Sequence, residues 1–316
     1  MKSSLSKALL ETFLTIRDSD FEGVKGVLIL KSIKKTPVIG VTICTHGNEL
    51  CGLAAAEYLI EAHQKGNLNT TVFIVINNLM AVERQINQAF DDSSKNRFVD
   101  INMNRLPDNL HEPTYAETYE VRRAVELLPV WKQFKYSLDF HSTTQDCESM
   151  LIDINNNFPL HLANGFGIKK LIKNITALQV GKPASAYYGS GGDTVTCAVE
   201  CGQHYKEETF DFAKNVIEKF LENLKERNDH GTNQRYEEYK ISRAIIFPDN
   251  SYELVDTFMN FAKISKGTLL AKGNGPNIDC DINGHTLFAG RKKFDTYEEI
   301  QEEVIFISEP VKIVSE

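Results

Sequence analysis

The sequence predicts an α/β fold: a mixed sheet flanked by helices, followed by a smaller β-rich C-terminal domain. Two observations predict it. Up to residue 227, short apolar β-branched runs alternate with stretches of helical spacing. After the polar break NDHGTNQR (228–235) the rhythm shortens, Gly and Pro punctuate it, and no long helical pattern follows. The 316 residues therefore divide into a larger domain, 1–230, and a β-rich domain, 231–316.

The elements follow in order. LSKALLETFLTI (5–16) has the apolar spacing of an amphipathic helix. GVLILKSI (26–33), PVIGVTIC (37–44) and TVFIVIN (71–77) read as strands, buried on one or both faces. YSLDFH (136–141), SMLIDI (149–154) and TVTCAVE (194–200) read the same way. Between them lie helical stretches at 49–66, 115–134 and 206–227. In the C-terminal part KISRAIIF, FAKISKGTLLAKG, HTLFAGRKKF and EEVIFISE supply short strand-like runs.

Composition narrows the function. Apolar residues make up 42%, too many for a disordered chain. A net charge of −8 argues against a nucleic-acid surface. The six cysteines, Cys44, Cys51, Cys147, Cys197, Cys201 and Cys280, form no Cys-x-x-Cys pair, so a thiolate zinc knuckle is excluded. Several lie in apolar runs, which fits a reducing compartment, the cytoplasm. The first twenty residues are charged throughout and lack a signal-peptide core, and no run approaches ~18 apolar residues, so no membrane span is expected.

Four segments carry candidate chemistry. His46-Gly47-Asn48-Glu49 follows a strand and opens a helix, where open α/β sheets bind ligands. A bare His-x-x-Glu pair would arise about once by chance in such a chain, and a helix-capping turn is the plain alternative. Gly47 there permits backbone conformations that other residues resist. His141 ends a strand, with Asp139 on the same face as a possible support for a metal-bound imidazole. Glu200 closes a buried strand, where a bare carboxylate is expensive, and Gly202 suggests a turn after it. KNRFVDINMNR gathers Arg97, Asp100, Asn102, Asn104 and Arg105; arginine's rigid fork suits carboxylates, and a solvated charged loop is the alternative. Together, two His and one Glu make a three-ligand catalytic zinc set with one position left for water, and a second Glu is then free to act as base.

In order and flanks, THGNE (45–49), RFVDINMNR (97–105), LDFHSTT (138–144) and VECG (199–202) resemble the succinylglutamate desuccinylase and aspartoacylase family. That family is a branch of the zinc carboxypeptidase superfamily. The resemblance implies a zinc-carboxypeptidase-like core in 1–230 as the catalytic domain. It implies one zinc held by His46, Glu49 and His141, with Glu200 as general base and Arg97 polarising the scissile carbonyl. Asn104 and Arg105 would hold the substrate's carboxylate. The implied activity is hydrolysis of the amide bond of a small N-acyl amino acid, with no nucleic-acid or membrane partner.

There are departures. Asn102 stands where many members have aspartate. Ser190 stands where aspartoacylase-like members carry an arginine, which weakens the expectation of an acidic acyl-amino acid such as N-acetylaspartate. Lys182, Tyr187 and Tyr188 are open replacements, Tyr297 aligns with the family's late tyrosine, and GSGGD (189–193) reads as a turn bordering the site. Two rival readings share the scaffold: a metallocarboxypeptidase acting on a peptide C-terminus, and a non-catalytic binding protein.

Overall fold

The computed structural model describes residues 5–34, 37–87, 94–189, 194–226, 234–289 and 302–315. Ser6 accepts a hydrogen bond from the Leu9 amide and so starts helix α1 (Lys7–Arg17). Strands β1 (Val27–Leu30), β2 (Ile39–Ile43) and β3 (Val72–Ile76) surround helix α2 (Gly52–Gln64) in the chain. Helix α3 (Leu79–Asn87) and helix α4 (Tyr119–Trp131) precede β4 (Tyr136–Thr143). Then come β5 (Met150–Asp153), β6 (Lys170–Lys173), β7 (Val195–Gln203) and helix α5 (Glu207–Glu226). The C-terminal region adds β8 (Tyr236–Ile245), β9 (Lys263–Ile264), β10 (Gly284–Leu287), β11 (Ile305–Ser308) and β12 (Lys312–Val314).

These strands form a twelve-stranded mixed sheet in the order β9-β10-β11-β8-β6-β5-β7-β4-β2-β3-β1, with β12 also on β8. Helices cover both faces. Alternate residues of β3 show why: Ile74 and Ile76 join a core with Phe13, Leu53 and Phe220, from α1, α2 and α5. Phe73 and Val75 join the opposite core with Val121, Leu127 and Trp131 of α4. The expected α/β class holds, and so does the β-rich C-terminal region.

The sheet does not stop between the two regions. β8 pairs parallel with β6, Tyr239 opposite Ile172, and carries the antiparallel β11 on its other side. Separate from this sheet, Glu253–Leu254, Leu269–Lys272 and Ile278–Asp279 form a three-stranded sheet. Most of the polar break at 228–235 lies outside the described residues.

Several elements differ from the sequence reading, among them helix α3 (Leu79–Asn87), which it did not anticipate. β6 (KLIK) shows no apolar run because two of its four residues are lysines. Lys170 is nonetheless buried, its ammonium 2.6 Å from Glu237 on the neighbouring strand. Helix α4 starts at Tyr119 rather than 115, because Pro113–Tyr115 closes a separate 3₁₀ turn.

Candidate active site

Strands β2, β4 and β7 are adjacent and parallel, with Thr42 beside Asp139 and His141 beside Glu200. Their carboxyl ends therefore deliver His46 and Glu49, His141, and Glu200 to one rim of the sheet. In register, His141 and Glu200 face the same side. Beyond β2 the chain turns sharply, with Cys44 at φ 53°. Gly47 does not take a left-handed conformation, as its motif suggested; close approach is what requires glycine. A Cβ there would lie 2.2 Å from the Asn96 carbonyl oxygen, and the Gly47 amide donates to the Arg97 carbonyl at 2.8 Å. This contact docks the Arg97 segment against the His46–Glu49 turn.

Among the described residues, His46, Glu49 and His141 form the one cluster of His, Cys, Asp or Glu spaced to hold a metal, their donor atoms within 4.8 Å of one another. All three are buried. Nδ1 of His46 lies 2.7 Å from Glu49 Oε1, and Nδ1 of His141 lies 2.8 Å from Glu49 Oε2. Both imidazoles thus turn Nδ1 to the same carboxylate. His46 Nδ1 is buried and makes no aligned hydrogen bond despite that short approach. A buried ring nitrogen aimed into a carboxylate cluster, in a two-imidazole and one-carboxylate donor set, fits a zinc ion.

The charges agree with that use. Burial, reinforced by Arg97, lowers the His46 pKa to about 4, so its ring is neutral at pH 7. Burial acts against the Glu49 carboxylate, but His46, Arg97 and His141 together outweigh it and hold its pKa well below the usual range. For His141, burial works downward, yet Asp139 and Glu49 raise its pKa well above 6.5.

The other ring nitrogens are held from behind. His141 Nε2 lies 3.1 Å from Asp139 Oδ2. Asp139 Oδ1 accepts from Thr42 (2.9 Å) and Thr45 (3.0 Å), so Asp139 gives the expected support. His46 Nε2 lies 2.9 Å from Asn102 Oδ1, and the Asn102 amide donates to Glu302 Oε1 at 2.9 Å. Arg97 stands at the open side: it donates to Glu49 Oε1 at 2.6 Å, and its other terminal nitrogen lies 3.0 Å from His46 Nε2.

Asn104 and Arg105, the pair expected to hold a carboxylate, have a different setting. Arg105 is buried and ion-paired: Nε (3.0 Å) and one terminal nitrogen (2.8 Å) donate to Glu303 Oε2. Its remaining terminal nitrogen donates to the Asn104 carbonyl at 2.8 Å. Glu303 is fully buried and also accepts from the Val180 amide. The side-chain oxygen of Asn104 has no hydrogen-bond partner.

Other candidates have structural work. Asp100 caps helix α4 by accepting from the Tyr119 amide at 2.7 Å. Lys182 pairs with Asp108 at 3.2 Å. The Tyr187 hydroxyl donates to the Pro107 carbonyl, and burial pushes its pKa up to about 12. Tyr188 is buried beneath the site, its hydroxyl accepting from Asn77, which also donates to Thr45. Both hydroxyls are thus engaged within the protein. Ser190, Tyr297 and all of GSGGD beyond Gly189 lie outside the described residues.

Sequence reasoning missed three acidic residues. Glu120, buried in α4, accepts from the amides of Val99, Asp100 and Ile101 and so fixes the 97–105 segment. Glu302 and Glu303 reach the site from the C-terminal region. The only local signal was Glu120 in the first turn of a helix. A cavity of about 760 Å³ opens at the other ends of these strands, beside Ile39, Tyr58 and Tyr136, and none of the site residues lines it.

Comparison with known proteins gives the family. The succinylglutamate desuccinylase/aspartoacylase catalytic domain model matches residues 36–224. The chain belongs to that family, and is a hydrolase of the deacylase type. Among solved structures it is similar to succinylglutamate desuccinylase from Vibrio parahaemolyticus, with TM-score 0.72, 16% identity, and 99% of this chain and 100% of that chain covered. It is also similar to the Vibrio cholerae succinylglutamate desuccinylase (TM-score 0.70, 13% identity, 99% of each chain). Murine aminoacylase 3 matches with TM-score 0.61 and 20% identity over 89% of this chain and 98% of that one. A comparison with curated proteins finds no match. No helix among the described residues is long and apolar enough to cross a membrane.

Proposed function

We propose that the protein is a zinc-dependent hydrolase that cleaves the amide bond of a small N-acyl amino acid. The observation that carries this reading is the convergence of His46, Glu49 and His141 at the carboxyl ends of adjacent parallel strands. A zinc ion held there supplies a Lewis acid and lowers the pKa of a water to about 7.

The chain's own residues do the rest. Glu200, beside His141 in register, takes the attacking water's proton and returns it to the leaving amine. Arg97 stabilises charge on the carbonyl oxygen, an effect worth about 3–4 kcal/mol in comparable sites. Its link to Glu49 keeps the guanidinium beside the ligands. The side-chain amide nitrogen of Asn104 and the N–H donors that Arg105 has left after Glu303 and the Asn104 carbonyl bind the substrate's free carboxylate. Water released as the substrate seats leaves these charges in a less screened site. The six free cysteines fit a cytoplasmic setting.

A screen of zinc-loaded protein against N-acyl amino acids and short peptides, reading released amine, tests the proposal. Turnover of an acyl-amino acid is the expected result. Cleavage confined to peptides would instead make the protein a carboxypeptidase, and zinc binding with no hydrolysis would make it a binding protein.

A further inference from the structure

We propose that Glu302 is a positioning residue for the zinc ligand His46, acting through the side-chain amide of Asn102. The inference rests on the zinc reading above. It starts from hydrogen-bond accounting at one buried side chain.

With Nδ1 turned toward the ligand cluster and given to a metal, His46 carries its proton on Nε2, which faces Asn102 Oδ1 at 2.9 Å and a terminal nitrogen of Arg97 at 3.0 Å; arginine only donates, so the proton's acceptor has to be Asn102. Asn102 Oδ1 is that acceptor, at 2.9 Å, and the Asn104 amide donates to the same oxygen at 2.9 Å. Two donors on one oxygen fix which end of the amide faces His46. The opposite end, Nδ2, then donates to Glu302 Oε1 at 2.9 Å. The imidazole demands an acceptor and Glu302 demands a donor. An amide is the side chain that offers both at once. Asn102 is buried, so water does not relieve a mismatch there.

The contrast with His141 sharpens the point. His141 faces a carboxylate directly, Asp139 at 3.1 Å. For His46 the carboxylate stands one residue further out, beyond a neutral amide, and comes from the C-terminal region 200 residues along the chain from Asn102. Aspartate in place of Asn102 would set two carboxylates against each other across the same 2.9 Å. The asparagine that departs from the family pattern is thus matched to Glu302.

The test exchanges donor and acceptor. Wild type, Asn102→Asp, Glu302→Gln and the double variant are titrated with Zn²⁺ against a chromophoric chelator, and the melting temperature of each metal-free protein is measured alongside. Asn102→Asp should weaken zinc binding about 10–100-fold. Adding Glu302→Gln supplies an amide donor to the new carboxylate and should restore affinity to within about threefold of wild type. Glu302→Gln alone keeps an acceptor for Asn102 and should lose less than Asn102→Asp does.

Unchanged zinc affinity in Asn102→Asp, or no rescue in the double variant, overturns the inference. So does a fall in metal-free melting temperature with zinc affinity intact, which marks a purely structural contact. If wild type takes up no zinc, the functional reading falls together with this one. If wild type binds zinc and Asn102→Asp binds it equally, only this inference falls.

Discussion

The two ends of the candidate site are held by different kinds of contact. At the ligand end, His46, Glu49 and His141 stand at the ends of β2 and β4, and the groups behind His141 come from the same two strands or the turn after them. Thr42 and Asp139 are neighbours by sheet register, and Thr45 reaches Asp139 from the turn after β2. At the proposed carboxylate end, Arg105 sits in a loop and pairs with Glu303, 198 residues further along the chain. One end is set by strand geometry, the other by loop contacts, among them the Glu120 carboxylate on three backbone amides and the buried Arg105–Glu303 ion pair. The ligand end should therefore fail through metal affinity, and the carboxylate end through stability of the fold. His46 belongs to both, since its rear support runs through Asn102 to the C-terminal region.

The sharpest break is at the ligands. His141→Ala should reduce zinc to below about a tenth of an equivalent and abolish turnover, read by metal analysis and amine release. Equal zinc in the variant would remove His141 from the ligand set. Glu200→Gln separates chemistry from binding: zinc should remain while turnover falls by about 10²–10⁴. Retained turnover would move the base elsewhere.

The carboxylate end should respond in a different observable. Glu303→Ala leaves the Arg105 guanidinium buried without its partner, at a cost of about 3–5 kcal/mol in denaturant unfolding. The zinc affinity of whatever remains folded should change little. Its counterpart, Asp139→Asn, should weaken zinc binding about 10–100-fold with a smaller effect on unfolding. If both variants shift the same observable equally, the two ends are not independently held.

The smallest effect is in pH. His141 is charged in the metal-free protein because Asp139 and Glu49 outweigh its burial and raise its pKa well above 6.5. Zinc must displace a proton from its Nδ1. Below that raised pKa, apparent zinc affinity should therefore rise about tenfold per pH unit, with about one proton released per zinc in calorimetry across buffers. The metal-free protein has the opposite sign. The stabilisation from the charged ring is fully present below the unfolded pKa and is lost as pH rises through the folded one. A flat affinity profile near pH 7 would mean that His141 is already neutral.

The ligand end was the legible end. His46 and Glu49 lie within one turn, and His141 and Glu200 close recognisable strands, so motif and periodicity point to them together. Gly47 was marked correctly as special, but for the wrong physical reason, because packing against the Asn96 carbonyl leaves no trace in a turn sequence. β6 was hidden by lysines whose partners lie on the next strand. Glu302 and Glu303 open the strand-like run EEVIFISE, and nothing local connects them with Asn102 and Arg105.

By itself the sequence determined the alternation of strands and helices, the residue types a metal requires, and the family that carries them. These follow from periodicity and short spacing, which are properties of neighbouring residues. The tertiary structure decided which strands are adjacent, which nitrogen each histidine turns inward, and that the C-terminal region supplies two carboxylates to the site. Those depend on sheet order and on matching buried donors to acceptors across some two hundred residues of chain, and hydrogen bonds of that range exist only once the core has closed.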